Sequence, residues 1–168
     1  MRLSRDLAVF PPDRSATGWR PLMAADQPVV AALLYDAYLG TIDDEGDTRD
    51  GALAEIDATM AGQYGPPISG ACLVGVDDAN RIVAMVITTM FEGEPLIAYV
   101  ATDPACQRQG WATRLIEQAA SALADQGERR MNLVVTVGNP AQYLYERLGF
   151  RGWDQRPPTT WKRWDDHG

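Results

Sequence analysis

Apolar residues recur at helical spacing twice in the first third of the chain. Val30, Leu33, Leu34, Ala37 and Tyr38 form one stripe, with Asp26 placed to cap it and Gly40 to end it. Leu53, Ile56 and Met60 form another, which predicts a helix over about residues 49–63 that Gly65-Pro66-Pro67 stops. The segment between them, TIDDEGDTRDG, has no apolar period and reads as a loop. From residue 70 the pattern turns strand-like: GACLVGV over 70–76, RIVAMVITTMF over 81–91 and PLIAYVAT over 95–102, with turns at DDAN and Glu92-Gly93. These three predict an antiparallel meander. A short strand over 18–22 is expected ahead of the first helix.

The clearest helix follows the meander. Ala112, Leu115, Ile116, Ala119 and Leu123 share one face, and Gly127 ends the run. MNLVVTV, over 131–137, is continuously apolar, as a strand covered on both faces would be. Strand, helix and strand from Pro95 to Val137 predict two parallel neighbours joined by a right-handed crossover. A short helix over 141–148 and a closing hairpin around Pro157-Pro158 complete the chain. The order predicts one mixed sheet with helices on its faces, of class α/β or α+β.

At 168 residues the chain fits a single domain, taken as residues 18–168, with residues 1–17 as a loosely held, Pro-rich extension. A net charge of −8 argues against a nucleic-acid partner, which requires a basic face. No apolar run reaches the length of a membrane span, and the N-terminus lacks the features of a signal peptide. A cytoplasmic location is therefore expected. Cys72 and Cys106 lack metal-ligand spacing and read as free thiols. His167, the only histidine, stands near the chain end and offers little for catalysis.

Two segments carry candidate chemistry. In DPACQRQGWATRL a strand end feeds a glycine-bearing loop and then a helix, which gathers unpaired backbone N–H groups and the positive end of a helix dipole. Gly110 leaves room for an anion to approach, and Arg108 and Arg114 could add charge at the rim. Neither GxxxxGK(S/T) nor GxGxxG is present. From this loop alone, a helix start with a convenient glycine reads equally well. The second segment, GNPAQYLYERLGF, follows the next strand of the same unit. Ligands of open α/β sheets bind at the carboxyl ends of parallel strands, and both segments occupy such ends.

Together the two segments resemble the GNAT-type, acetyl-CoA-dependent N-acetyltransferases. VATDPACQRQGWATRLIEQA is similar to that family's cofactor motif, with Gln107, Gly110 and Ala112 at the Gln/Arg-x-x-Gly-x-Gly/Ala positions, and NPAQYLYERLGF is similar to its second motif. The resemblance is close from about Leu96 to Trp153. It implies a mostly antiparallel sheet of about six or seven strands, about four flanking helices and a central splayed pair of parallel strands. It also implies acetyl-CoA as co-substrate, without a metal. The backbone of Val100, Ala101 and Thr102 would pair with the pantetheine arm, and amides of Gln107, Arg108, Gln109, Gly110, Trp111 and Ala112 would hold the pyrophosphate, aided by the Thr113 hydroxyl. Asn139 would contact the cofactor, although an Asn-Pro pair also starts helices well. Tyr145 would protonate the departing thiolate in a direct transfer from acetyl-CoA to a primary amine, whereas Tyr143 faces elsewhere and reads as structural.

One departure stands out. Many relatives carry a carboxylate on the strand before the pyrophosphate loop, and LIAYV has none. A water chain, Glu92, Glu94 or a group on the first two helices remains for the base. The alternative is a non-catalytic acyl-CoA-binding sensor. The acidic loop offers Asp43, Asp44 and Glu45 to recruit a cationic amine, small or on a peptide; equally, these acids could simply favour the next helix N-terminus. A second copy of the chain is a further conceivable partner.

Overall fold

The long apolar run at 81–91 is the axis of the fold. It forms β4 (Ile82–Phe91), whose side chains alternate between two separate cores: Ala84 and Val86 enter one, Met85 and Ile87 the other. A strand covered on both faces has no solvent side to make polar, hence the unbroken run. The computed structural model describes residues 1–152, so the expected hairpin around Pro157-Pro158, with Trp153, Trp161, Trp164 and His167, lies outside the described residues.

Among the described residues, β1 (Arg2–Asp6), β2 (Trp19–Pro21), β3 (Leu73–Val76), β4, β5 (Glu94–Thr102), β6 (Arg130–Val134) and β7 (Arg151–Gly152) form one sheet, in the order β2-β3-β4-β5-β6-β1-β7. The meander β3-β4-β5 is antiparallel and β5 pairs β6 in parallel, as the spacing predicts. Helices α1 (Gln27–Tyr38) and α2 (Arg49–Met60) contribute to the core around Met85, Ile87 and Tyr99. The opposite core gathers α3 (Trp111–Asp125) with Leu3, Leu133, Tyr145 and Phe150, and Tyr145 belongs to α4 (Ala141–Arg147). The fold is thus α+β, with a mostly antiparallel sheet and one parallel pair.

Residues 1–17, expected as a loosely held extension, instead include a sheet strand. β1 lies between β6 and β7, pairing antiparallel with both, and Leu3 and Arg5 are each only 2% exposed. The run RLSRD gives no apolar alternation because a charge occupies one inward position. Glu117 of α3 accounts for it, accepting two bonds from the Arg5 guanidinium at 2.9 and 3.0 Å. A buried charge is tolerated only when paired in this way.

A second difference concerns which face α2 buries. The sequence places Leu53, Ile56 and Met60 inward, whereas the fully buried set is Ala52, Ile56 and Thr59. The helix is rolled by about one position, leaving Leu53 and Met60 half-buried and turning Glu55 toward the sheet. Thr48 caps this helix by accepting from the Gly51 N–H at 2.9 Å. Asp26 occupies the cap position of α1 without capping it: its carboxylate takes two bonds from Arg20 and one from the Met23 N–H.

Candidate functional site

β5 and β6 begin side by side and then part. Their pairing covers Leu96–Asn132 and Ile97–Leu133. β5 continues to Thr102 along β4, skipping Ala98 in the register, a bulge that bends the strand away from β6. On its other side Val100, Ala101 and Thr102 have no strand partner among the described residues. A cleft of about 740 Å³ lies along this divergence, lined by Leu96–Val100 of β5, Leu133 and Val134 of β6, residues of α1 and α2, Asn139 and Tyr145.

The chain then turns through a short 3-10 segment, Pro104–Cys106, which Asp103 opens by accepting from the Ala105 N–H at 2.8 Å. Residues 107–110 follow as an exposed loop. Arg108 has φ +62° and Gly110 φ +80°, so both are left-handed, a conformation costly for arginine and natural for glycine. A Cβ at Gly110 would meet nothing within 4 Å, so the space beside it is open. Among the described residues no acceptor meets the N–H groups of 107–113. Arg114 steadies the turn by donating to the Gln109 carbonyl at 2.9 Å while lying 4.0 Å over the Trp111 ring. Trp111 thus contributes only its amide to the loop: its indole is buried against Gly75, where a Cβ would stand 2.8 Å from the ring.

Tyr145 closes the cleft from the α4 side. Its ring is 8% exposed and meets Phe150 edge-on, with centroids 6.0 Å apart. Loss of hydration, reinforced by the negative Asp43, pushes its hydroxyl pKa up to about 12. The phenol therefore stays protonated at neutral pH, and its oxygen has no hydrogen-bond partner among the described residues. Tyr143 projects into solvent, 73% exposed, rather than supporting the core.

The acidic loop is spent largely on the protein itself. Asp43 reaches back to the β6 end and accepts from the Thr136 hydroxyl and the Asn139 Nδ2, both at 2.7 Å. Asn139 uses its Oδ1 to accept from the Ala141 N–H at 2.9 Å, as a helix-starting Asn does. Both ends of its carboxamide are thus engaged within the fold. Asp44 accepts from the Gly40 and Gly46 N–H groups, shaping the loop turn. Glu45 lies at the exposed rim of the cleft.

Sequence reasoning missed Glu55. It lines the cleft from α2, accepting from the Tyr99 hydroxyl of β5 at 2.8 Å and from the Tyr64 hydroxyl at 3.4 Å. Burial first, and then Glu55, raises the Tyr99 pKa far above the usual phenol value. Glu94, by contrast, is held by Arg2 and Asn132 at the opposite end of β5, roughly 20 Å of extended strand from Val100. Cys72 is buried and Cys106 half-buried, both as free thiols.

A family model described as an acetyltransferase (GNAT) domain matches residues 69–152. Among solved structures, a GCN5-related N-acetyltransferase from Sphaerobacter thermophilus superimposes with a TM-score of 0.67 at 20% identity, covering 89% of this chain and 47% of its own. A GNAT family acetyltransferase from Brucella melitensis, in complex with acetyl-CoA, gives 0.63 at 18% identity over 80% of this chain and 82% of its own. The ribosomal-protein-S18-alanine N-acetyltransferase of Escherichia coli gives 0.61 at 24% identity over 79% and 76%. The chain spans about half the length of the first of these. At such identities the likeness establishes the fold alone. No curated protein matches the sequence.

Proposed function

The chain belongs to the GNAT acetyltransferase family, and on that premise we propose that it transfers an acetyl group from acetyl-CoA to a primary amine by direct attack in a ternary complex. The observation that carries the reading is Tyr145: a buried phenol held protonated in a cleft that opens where two parallel strands separate. Around it the chain offers what acetyl-CoA requires. The unpaired edge of Val100–Thr102 accepts an extended amide-bearing arm as a strand would, and the run of N–H groups from Gln107 to Thr113 suits a pyrophosphate. Asn139 is left out of the cofactor set because its carboxamide already holds Asp43 and starts α4.

In the transfer, the neutral amine attacks the thioester carbonyl carbon, forming the C–N bond and a tetrahedral oxyanion. A β5 N–H on the open edge stabilises that charge. Collapse breaks the C–S bond, the thiolate takes the Tyr145 proton, and the proton left on nitrogen restores the phenol. Asp43, through Thr136 and Asn139, braces the acidic loop against the strand end beside this phenol.

The lack of a carboxylate on β5 beyond Glu94, along the stretch that borders the cleft, favours a second reading, a module that binds acyl-CoA without turning it over. Thermal shift with acetyl-CoA followed by thiol release across a panel of primary amines tests both. Stabilisation with amine-dependent thiol release is expected. Stabilisation without release would replace the enzyme by the binding module, and no stabilisation would defeat both.

A further inference from the structure

We propose that Glu55 is the group that seats the acceptor's ammonium and removes its first proton. The assignment rests on the transfer reading above and names the acceptor as an amine that enters protonated. Three observations carry it. First, the stretch of β5 that borders the cleft, Leu96–Val100, offers no carboxylate, but its Tyr99 hydroxyl donates to Glu55 at 2.8 Å, fastening a carboxylate from α2 over the cleft that Tyr145 lines. The roll of α2, which buries Ala52 and Thr59, is what points Glu55 there.

Second, each Glu55 oxygen is fixed by one phenol, Tyr99 on Oε1 and Tyr64 on Oε2. A carboxylate offers about four lone-pair sites, so sites remain for ammonium donors. Third, the other acids of the cleft and of β5 are committed elsewhere or stand on the exposed acidic loop, as Glu45 and Asp47 do. Asp43 holds Thr136 and Asn139, Asp44 holds two loop amides, and Glu94 pairs with Arg2 at the far end of the strand.

Glu55 meets Tyr99 from β5 and Tyr64 from the segment after α2, and shares the cleft with Tyr35 and Tyr38 of α1 and with Asp43, Asp44, Glu45 and Asp47 of the acidic loop. Among the described lining residues no lysine, arginine or histidine competes for it. Aromatic faces also attract a cation, as Tyr35 does with the Arg49 guanidinium 4.8 Å from its ring centroid, so the wall and the carboxylate favour the same kind of guest.

The protons balance as follows. The ammonium gives one proton to the Glu55 carboxylate, and the resulting amine attacks the thioester. The second nitrogen proton is lost as the intermediate collapses and replaces the one Tyr145 hands to the thiolate. Glu55 then returns its proton to solvent, so one proton is released for each acetyl group transferred.

The test compares Glu55→Gln with the wild type on two probe amines, 1,4-diaminobutane, which is protonated at pH 7, and methoxyamine, which is neutral there. Acetyl-CoA-dependent thiol release is measured from pH 6 to 10. With the diamine, kcat/KM should fall about 100-fold at pH 7 and recover as pH rises and free amine accumulates. With methoxyamine the variant should match the wild type within about threefold. Tyr99→Phe, which loosens the carboxylate without removing it, should lose about tenfold with the diamine only. Equal losses on both amines, or a diamine loss that pH does not repair, would overturn the assignment while leaving acetyl transfer standing. A wild type that releases no thiol with either amine would overturn both. A thermal shift with acetyl-CoA equal to that of the wild type verifies that each variant is folded.

Discussion

Replacing Tyr145 by Phe removes one oxygen and almost nothing else. The ring keeps its edge-on contact with Phe150 at 6.0 Å, and it stays in the core it shares with Leu133 and α3. Because the hydroxyl has no hydrogen-bond partner among the described residues, its loss leaves no orphaned group behind. Stability should therefore change by less than about 0.5 kcal/mol. The chemical step should suffer much more. General acid catalysis contributes about 10²–10⁴-fold, so the variant should lose roughly 3–5 kcal/mol of transition-state stabilisation. The loss belongs in kcat, with the acetyl-CoA KM within about threefold of the wild type, because the phenol acts on the leaving thiolate rather than in cofactor binding. The assay is single-turnover thiol release, paired with a urea melt to verify stability. Since the hydroxyl pKa is pushed up to about 12, wild-type activity should show no alkaline decline from this group below about pH 11. Turnover by Tyr145→Phe equal to that of the wild type would refute the role.

Three further outcomes follow from the geometry. Gly110→Ala should raise the acetyl-CoA KM about tenfold while costing only about 1 kcal/mol of stability, because the added Cβ meets no atom within 4 Å and the penalty is confined to the left-handed backbone; an unchanged KM would remove the loop from the cofactor site. Glu117→Gln leaves the Arg5 guanidinium buried without its counter-charge, so chemical denaturation should show a loss of about 3–5 kcal/mol, and a loss below about 1 kcal/mol would contradict the anchoring of β1. Tyr38, Tyr99 and Tyr145 all have raised pKa values in the folded protein. Stability from them is fully present below the ordinary phenol pKa of about 10 and is lost as pH climbs toward the folded values, Tyr145 alone accounting for roughly 3 kcal/mol. Phenolate absorbance from these three should therefore emerge only with unfolding, and early titration in the folded state would contradict their burial.

The meander, the parallel pair and the long amphipathic α3 were legible because each is written in a local period. The run at 81–91 even signalled, by failing to alternate, that both of its faces are covered. Part of the site was legible for a related reason. Gly110 and the strand ends around it lie in one contiguous segment, and the motif of Asn139 and Tyr145 occupies the next strand end. Other parts depended on partners distant in sequence. β1 gave no strand signal because Arg5 fills an inward position, and only Glu117, more than a hundred residues away, makes that position tolerable. Asn139 reads equally well in the sequence as a cap or a cofactor contact, and only the fold places Asp43 on its amide.

Glu55 shows the boundary most clearly. Helical spacing fixed that α2 exists and which residues could face inward, but a stripe of Leu53, Ile56 and Met60 and one of Ala52, Ile56 and Thr59 differ by a small roll about the helix axis. Packing against α1 and β5 chose the second and carried a carboxylate to Tyr99. By itself the sequence determined the elements, their order and the glycine-bearing turn, since these follow from propensity and local pattern. The tertiary structure alone decided how far β5 parts from β6, which acids are already engaged and which one faces the cleft. Those outcomes depend on a few ångströms of displacement and a few tens of degrees of rotation, set by contacts between segments that the linear chain keeps apart.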